Sequence, residues 1–507
     1  MTLRTNTVAN FVGQGYVTAI AVIMLPLYLR DLGAEAYGLV GFFVVMQAWL
    51  RLLDMGLSPA LGRELAHARG LAHSADADPQ AAGIVRAIER LFLLLAIASG
   101  IAIWRCSGLV ATRWLHVQSL PIAEVTQCVT LMGLAASLRW LAALYRSGIQ
   151  GLERQVWLNS ANMGIATLRY VGVWAVLHWI SHDPRYFFGY ELGVSLGETA
   201  LLHYGMYRLL PTPAKTNRFS WAPLSKVLPF AGGVAYAALV WVLLTQIDKL
   251  ILSNVLPLRD YGYYALVAVI ANSITSLGGP ISSAVLPRMT GLLAQERREA
   301  MTMLYRKSSQ MVAVVALPIS ALIALVPQEL IYAWTGDRQA AQWGAPILAW
   351  LALGNGLLAL SAFQYYLQYA HGKIRLHVWN STINALIQTP LIIFAAYHYG
   401  AYGAALTWFI LRVVSFIVWP PIIHHVFAPG LHKEWLVHDI APILAATSVG
   451  ALLVRGLEPL LASDGRLEIM IVLACAALSM LLLNSLVSWS CRPYLIRTIE
   501  RIGAVHG

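Results

Sequence analysis

Apolar runs of about twenty residues recur along almost the whole chain and limit the folds open to it. A helix of that length crosses the ~30 Å hydrocarbon core of a bilayer. Charged residues make up 12% of the 507 residues and hydrophobic residues 58%, whereas a soluble domain carries about 25% charged residues. The alternating apolar pattern of a membrane β-barrel is not seen. The sequence therefore predicts an all-α, polytopic membrane protein.

The apolar runs predict about 14 transmembrane helices, separated by short polar segments. The first run has no small-residue cleavage site and is as long as the later ones, so we expect it to be a retained helix. The predicted spans are 8–29, 38–61, 91–112, 124–145, 156–180, 187–207, 228–255, 263–286, 310–333, 345–369, 376–399, 403–427, 439–460 and 467–489.

Lys and Arg are distributed unevenly between the predicted loops. Of the 35 Lys and Arg residues, about three times as many lie on the side of the N-terminus as on the opposite side. Cytoplasmic loops carry this excess in membrane proteins. We therefore expect a cytoplasmic N-terminus and a place in the cell inner (plasma) membrane. We attribute the net charge of +11 to basic cytoplasmic loops that set the orientation of the protein in the membrane. We therefore expect no nucleic-acid partner.

Two pairs of segments, each about 220 residues apart in the chain, resemble each other, which indicates an internal duplication. Each repeat contains six predicted spans, and an even number gives parallel repeats related by an axis along the membrane normal. The similar segments are LYLRDLGAEAYGLVG (27–41) with ILSNVLPLRDYGYYA (251–265), and GLERQVWLNS (151–160) with GKIRLHVWNS (372–381).

The duplication predicts two six-helix lobes, followed by two further helices outside the repeat. The segment between the lobes contains prolines and basic residues, as a cytoplasmic linker should. The predicted domains are an N-terminal lobe (1–207), a linker (208–226), a C-terminal lobe (227–430) and an additional helix pair with a basic tail (431–507).

Ionisable residues within the spans are the candidate functional residues. Each costs roughly 2.5–3.5 kcal/mol at a helix centre, so it should face a cavity or a partner. In the second span, Arg51 and Asp54 share a helical face at i, i+3. They form either an internal ion pair or part of a gate or substrate path.

Two further spans carry charges two helical turns apart. Arg139 and Arg146 lie in the fourth span, and Glu191 and Glu198 lie in the sixth. The glutamates could neutralise the arginines across the two helices. Alternatively, the arginines bind an anionic ligand, because guanidinium groups hold phosphate bidentately.

Asp248 and Lys249 are neighbours in the seventh span and point about 100° apart, so each should need its own partner. Coupling to a cation is one alternative for Asp248. Arg169 and Arg412 have no acid nearby in the sequence. The candidate substrate-binding residues are therefore Arg51, Arg139, Arg146, Arg169 and Arg412, and the candidate gating or ion-coupling residues are Asp54, Glu191, Glu198, Asp248 and Lys249.

No sequence motif indicates covalent chemistry. There is no phosphate-binding glycine loop, zinc-ligand spacing or nucleophile elbow. The four cysteines have no metal-like spacing, and the adjacent His424 and His425 are expected at an interfacial polar edge. We therefore expect no catalytic activity, no cofactor and no metal.

Three segments resemble a known family. They are the short outer loop LGAEAYG (32–38), the inner end of the second span LLDMGLSPALGRELA (52–66), and the restart of the second half TQIDKLILSNVLPLRDYGYYALV (245–267). Together they resemble Wzx-like lipid-linked oligosaccharide (O-antigen) flippases of the multidrug/oligosaccharidyl-lipid/polysaccharide exporter superfamily. The resemblance covers about residues 1–430.

This resemblance implies two six-helix lobes around a central cavity that opens to one side at a time. It also implies a polyprenyl-pyrophosphate-linked oligosaccharide substrate, which moves from the cytoplasmic to the periplasmic leaflet. The expected partners are this substrate and membrane lipids, with a polysaccharide polymerase and a chain-length regulator as further candidates, and the chain is expected to act as a monomer. A cation-coupled multidrug or metabolite antiporter, a lipid II flippase and a membrane enzyme are the alternatives.

Overall fold

A computed structural model describes residues 3–71, 80–209, 222–456 and 465–497. These ranges are helical almost throughout and contain no β-strand, only an isolated bridge between His116 and Pro257. Backbone groups have no water partner in lipid, and a helix pairs them within its own segment. The predicted all-α class is confirmed.

The helices are α1 (Leu3–Leu32), α2 (Ala34–Leu50), α3 (Leu57–Leu71), α4 (Gln80–Leu109), α5 (Ile122–Gly151), α6 (Gln155–Thr167), α7 (Val173–Trp179), α8 (Pro184–Leu209), α9 (Ala222–Val255), α10 (Leu258–Ser276), α11 (Gly279–Ala294), α12 (Arg298–Leu325), α13 (Pro327–Thr335), α14 (Arg338–Ala370), α15 (Arg375–Phe427), α16 (Leu431–Glu434), α17 (Ala441–Arg455) and α18 (Arg466–Val487).

Within the described ranges, ten helices are long and apolar enough to cross a membrane. The chain is therefore a multi-pass membrane protein. The number fourteen stays a prediction. Helix α15 includes two predicted spans, 376–399 and 403–427, which meet at a kink where Gly400 has φ 60°. Glycine adopts this conformation without the steric cost of a Cβ atom.

The second predicted span, 38–61, is not one continuous helix. Helix α2 ends at Leu50, a 3₁₀ turn covers Arg51–Asp54, and Met55 and Gly56 have positive φ before α3 begins. A Cβ atom on Gly56 would collide with the carbonyl oxygen of Ala231, so the break lies against the backbone of α9. The prediction of a continuous helix here was wrong.

The described residues fall into two compact units, 1–262 and 263–507. In the first unit, α5 is the central element and packs against α3, α4 and α8. Its Trp140 ring stacks on Phe92 of α4, with the ring centroids 4.5 Å apart. The side chains of Leu61 and Leu144 are completely buried in the same core.

In the second unit, α14 packs along α12 and α15. A separate apolar core joins α12 and α13 to α17 and α18, and contains Leu322, Ala333, Val454 and Met480. The last two long helices are therefore packed onto this unit. The predicted lobe boundaries stay predictions. Most of the predicted linker (210–221) and the end of the basic tail (498–507) lie outside the described residues.

Candidate functional site: an arginine–carboxylate cluster

Five of the candidate residues meet in the first unit. Arg139 and Arg146 lie on α5, Glu191 and Glu198 on α8, and Arg169 in the turn between α6 and α7. Two helical turns return a side chain to nearly the same face. Because α5 and α8 pack side by side, each pair of charges faces the neighbouring helix.

The geometry of this arginine–carboxylate cluster is a chain of ion pairs. Glu191 Oε1 lies 2.8 Å from Arg139 Nη2 and 3.1 Å from Arg169 Nε. Glu198 Oε2 lies 2.6 Å from Arg169 Nη2, and its other oxygen pairs with Arg146. Arg169 therefore bridges the two carboxylates. The sequence left two alternatives for these arginines, neutralisation by the glutamates or binding of an anionic ligand. The structure shows the neutralising contacts between α5 and α8.

A π-helical turn, Leu168–Gly172, carries Arg169. Such turns replace the α-helical hydrogen-bond pattern locally and are frequent at functional sites. The Tyr190 hydroxyl donates to the Leu168 carbonyl oxygen at 3.0 Å, which ties the turn to α8. The turn is thus held beside the helix that carries both glutamates.

Gln47 on α2 belongs to the same site, although it was not among the candidates. Arg139 Nη1 donates to Gln47 Oε1 at 2.6 Å. The guanidinium of Arg139 also lies over the Phe43 ring, 5.4 Å from its centroid. A polar amide within an apolar run was the available sequence signal, but it carries no charge and was therefore missed.

The cluster contains three cations and two anions, and they differ in exposure. The side chains of Glu191 and Glu198 are 4% and 3% exposed, whereas those of Arg146, Arg139 and Arg169 are 33%, 20% and 16% exposed. The accessible part of the cluster is therefore cationic. An anion with several oxygen atoms is its natural ligand, since guanidinium groups bind such anions bidentately.

Arg51 lies in the break after α2 and is exposed. Arg146 is close enough to act on it electrostatically. The alternative of an Arg51–Asp54 ion pair is wrong. In the described contacts, Asp54 Oδ1 instead accepts from the Ser58 backbone N–H at 2.8 Å. A carboxylate at a helix start satisfies an N–H group that has no partner within the helix.

Asp248 and Lys249 pair with each other, a contact that the angle of about 100° between their backbone positions did not predict. Lys249 Nζ lies 3.2 Å from both carboxylate oxygens of Asp248 and donates to the Thr245 carbonyl oxygen at 2.8 Å. The backbone positions do point apart. The flexible four-carbon side chain of lysine nevertheless lets its ammonium group fold back along the helix.

Arg412 lies in the second unit on α15. It is buried, donates from Nη2 to Gln388 Oε1, and lies over the Trp408 ring at 4.4 Å from the centroid. Among the described residues, no carboxylate pairs with it. Arg412 therefore differs from the arginines of the cluster, each of which has a carboxylate partner.

A second charged network was missed entirely. The predicted span 310–333 leaves Arg306 in a cytoplasmic loop, but α12 begins at Arg298 and Arg306 is buried. Its Nε and Nη2 donate to the two Asp439 carboxylate oxygens at 2.7 and 2.9 Å. Trp489 Nε1 donates to the same carboxylate at 2.8 Å. These contacts join α12 to the residues around α17 and α18.

His424 is also not at a polar edge, because it is fully buried. Its Nε2 is 2.8 Å from the Tyr305 hydroxyl, and its Nδ1 is 3.2 Å from His432 Nδ1. Gln364 Nε2 donates to the same hydroxyl at 3.3 Å. The hydrogen-bonded neighbours of His424 therefore come from α12 and α16, not from the adjacent His425.

A family model described as "Polysaccharide biosynthesis protein" matches residues 3–293, more than half of the chain. The chain belongs to this family. This polysaccharide biosynthesis family member is 20% identical to the putative O-antigen transporter of Shigella flexneri over 427 residues, which cover 82% of the chain and 96% of that transporter.

Solved structures show which fold this polysaccharide biosynthesis family member has. The lipid II flippase MurJ in its inward closed conformation matches with a TM-score of 0.70 at 12% identity, covering 95% of this chain and 98% of MurJ. An inward-facing MATE-family multidrug resistance transporter of the MOP superfamily matches with a TM-score of 0.62 at 14% identity, covering 82% and 96% of the two chains. The family resemblance and the predicted fold class are confirmed, and the predicted central cavity stays a prediction.

Proposed function

We propose that the protein is a flippase for surface polysaccharide synthesis. It moves a polyprenyl-pyrophosphate-linked oligosaccharide from the cytoplasmic to the periplasmic leaflet by alternating access, for O-antigen or another surface polysaccharide. Membership of the polysaccharide biosynthesis family and similarity to a putative O-antigen transporter support this function. The proposal includes an inner-membrane location, a cytoplasmic N-terminus and no catalytic step.

The cationic excess of the arginine–carboxylate cluster carries the proposal. Arg146 and Arg139 are the accessible charges, and the two glutamates are buried behind them. A pyrophosphate presents several anionic oxygens, which match the donor pattern of guanidinium groups. In this proposal Arg51, Arg139, Arg146 and Arg169 attract and hold the headgroup, while the lipid tail stays in the bilayer.

The same observation disfavours a cation-coupled multidrug antiporter. Such a transporter needs carboxylates that a cationic substrate can reach, but Glu191 and Glu198 are buried and each contacts two arginines. A lipid II substrate is the second candidate, because the MurJ fold covers 95% of this chain. Gating or ion-coupling roles for Asp54, Glu191, Glu198, Asp248 and Lys249 also stay proposals.

The test uses cells whose own copy of the gene is deleted and replaced by variants. Arg146 is the best target because Glu198, its one carboxylate partner among the described residues, keeps Arg169 when Arg146 is replaced. We expect Arg146→Gln to reduce surface polysaccharide and to raise the pool of lipid-linked oligosaccharide at unchanged protein level. Arg146→Lys should retain part of the display, because it keeps the charge but not the bidentate geometry.

Arg30→Gln is the matched control, because Arg30 is exposed and its ion pair within the described part of the chain is with the adjacent Asp31, at 2.9 Å. It should leave display unchanged. Normal display by Arg146→Gln would contradict the proposed role of the cluster. Rescue of cells depleted of their lipid II flippase, without any effect on surface polysaccharide, would favour the second candidate.

A further inference from the structure

Arg412 is a buried cation with unused hydrogen-bonding capacity. It is 8% exposed, and its Nε–H is buried without a partner. Its described contacts are the Gln388 amide oxygen, which accepts from Nη2, and the face of the Trp408 ring. Neither contact carries a negative charge. A guanidinium keeps its proton under all ordinary conditions, so the site cannot become neutral by losing one.

The surrounding sequence contains no carboxylate that could compensate this charge. No Asp or Glu occurs between Asp337 and Glu434, a stretch that includes all of α14 and α15. The buried Asp439 further along the chain is already paired with Arg306. An uncompensated buried charge is costly, and for the same reason the removal of one partner of a buried ion pair is strongly destabilising.

The amide oxygens beside Arg412 are also in use. Trp408 Nε1 donates to Asn355 Oδ1 at 3.2 Å, and Asn355 Nδ2 donates to the Ala271 carbonyl oxygen at 2.8 Å. The single acceptor that Arg412 contacts, Gln388 Oε1, is occupied by Arg412 itself. The unpaired Nε–H of Arg412 therefore calls for an acceptor, and the uncompensated positive charge favours an anionic one.

We propose that Arg412, with Gln388 and Trp408, forms an anion-binding site in the second unit, separate from the arginine–carboxylate cluster. Its ligand is one small anionic group, such as a halide or a carboxylate. Two sources offer this chemistry: a free anion from solution, or an acidic sugar of the substrate. Only the second source rests on the proposed function.

The test measures thermal unfolding of the full chain, purified in detergent, for wild type and for Arg412→Met and Arg412→Lys. The anion is changed from bulky morpholinoethanesulfonate to chloride, acetate or glucuronate at constant sodium and ionic strength. A ligand that binds only the folded state raises the unfolding temperature with saturation. We expect a rise of a few degrees for wild type, part of it for Arg412→Lys, and none for Arg412→Met.

The Met variant also tests the uncompensated charge directly. In morpholinoethanesulfonate it should be at least as stable as wild type, because replacing a buried charge by an apolar side chain is often stabilising. In chloride or acetate the order should reverse. Arg30→Gln should respond like wild type, which excludes a general effect of lost positive charge.

The two sources give different results. A response to chloride or acetate supports a free anion, whereas a response to glucuronate alone supports an acidic sugar. Equal responses of wild type and Arg412→Met, or no response of wild type to any of these anions, would overturn the proposal. Because the readout is binding and not polysaccharide display, its failure would leave the Arg146 experiment unaffected.

Discussion

Gly38 and Gly262 pack against each other where the first turns of α2 and α10 meet. A Cβ atom on Gly262 would lie 3.0 Å from Gly38 N and would collide with the Ala34 carbonyl oxygen. A Cβ atom on Gly38 would collide with the Leu258 carbonyl oxygen. The contact is reciprocal, because each glycine lies against the carbonyl oxygen of the residue four positions before the other glycine, Ala34 before Gly38 and Leu258 before Gly262.

This contact predicts the effect of a single methyl group. We expect Gly38→Ala to lower the free energy of unfolding by about 1–3 kcal/mol, because backbone atoms cannot move aside as a side chain can. Gly15→Ala in α1 is the control, since nothing lies within 4 Å of its Cβ position. There, the better helix propensity of alanine should be neutral or stabilising by up to about 1 kcal/mol.

Thermal and denaturant unfolding in detergent provide the measurement. Gly262→Ala should resemble Gly38→Ala, and the double variant should cost less than the sum of the two, because one separation of the helices relieves both collisions. Full additivity of the two substitutions would contradict a shared contact.

A second prediction concerns the arginine–carboxylate cluster. Glu198→Gln removes the charge that faces both Arg146 and Arg169. Because the carboxylate is buried, we expect a loss of about 3–5 kcal/mol in unfolding free energy. Glu124→Gln is the control, since Glu124 is partly exposed and lies 3.5 Å from Arg185. An exposed pair contributes about 0–1 kcal/mol, so similar losses in both variants would argue against a buried ion-pair chain.

The Arg306 network offers a comparison within one site, because the same arginine contacts two carboxylates of different burial. Asp439 is fully buried, whereas the Glu434 side chain is 54% exposed. We expect Asp439→Asn to cost about 3–5 kcal/mol and Glu434→Gln at most about 1 kcal/mol. Hydrogen exchange of α17 and α18 should also rise in Asp439→Asn alone. Equal effects would show that burial does not control this network.

The loop before α8 predicts a dependence on pH. Asp183 Oδ1 accepts from the Arg185 backbone N–H at 2.8 Å, and the hydrogen bond from the Arg185 side chain lowers the pKa of Asp183. A lowered folded-state pKa stabilises the fold above the unfolded value of about 3.9. This stabilisation is lost as pH falls through the folded-state pKa.

Asp183→Asn should remove this contribution, so its unfolding temperature should decrease less than that of wild type as the pH falls from 6 to 3 (roughly the range in which aspartate titrates). Arg185→Ala should shift the pKa of Asp183 back towards its ordinary value. Parallel pH profiles of all three proteins would contradict a stabilising contact between Asp183 and Arg185.

Much of the fold was predictable from local sequence. Long apolar runs imply helices because the backbone must satisfy its own hydrogen bonds in lipid. The break at Arg51–Asp54 was missed because it depends on the close approach of Gly56 to Ala231 of α9, which no local pattern reveals. The spacing of Glu191 and Glu198 did indicate partners for the arginines of α5, since two turns of helix keep both charges on one face.

The sequence by itself determined that this chain is a multi-pass helical membrane protein, because this follows from the length and number of its apolar runs. Only the tertiary structure decided which charged side chains pair with each other. Arg306 and Asp439 pair across 133 residues, Lys249 folds back onto its neighbour, and Arg412 meets no carboxylate among the described residues. Such contacts depend on how helices pack and how long side chains bend, and the one-dimensional pattern does not contain that information.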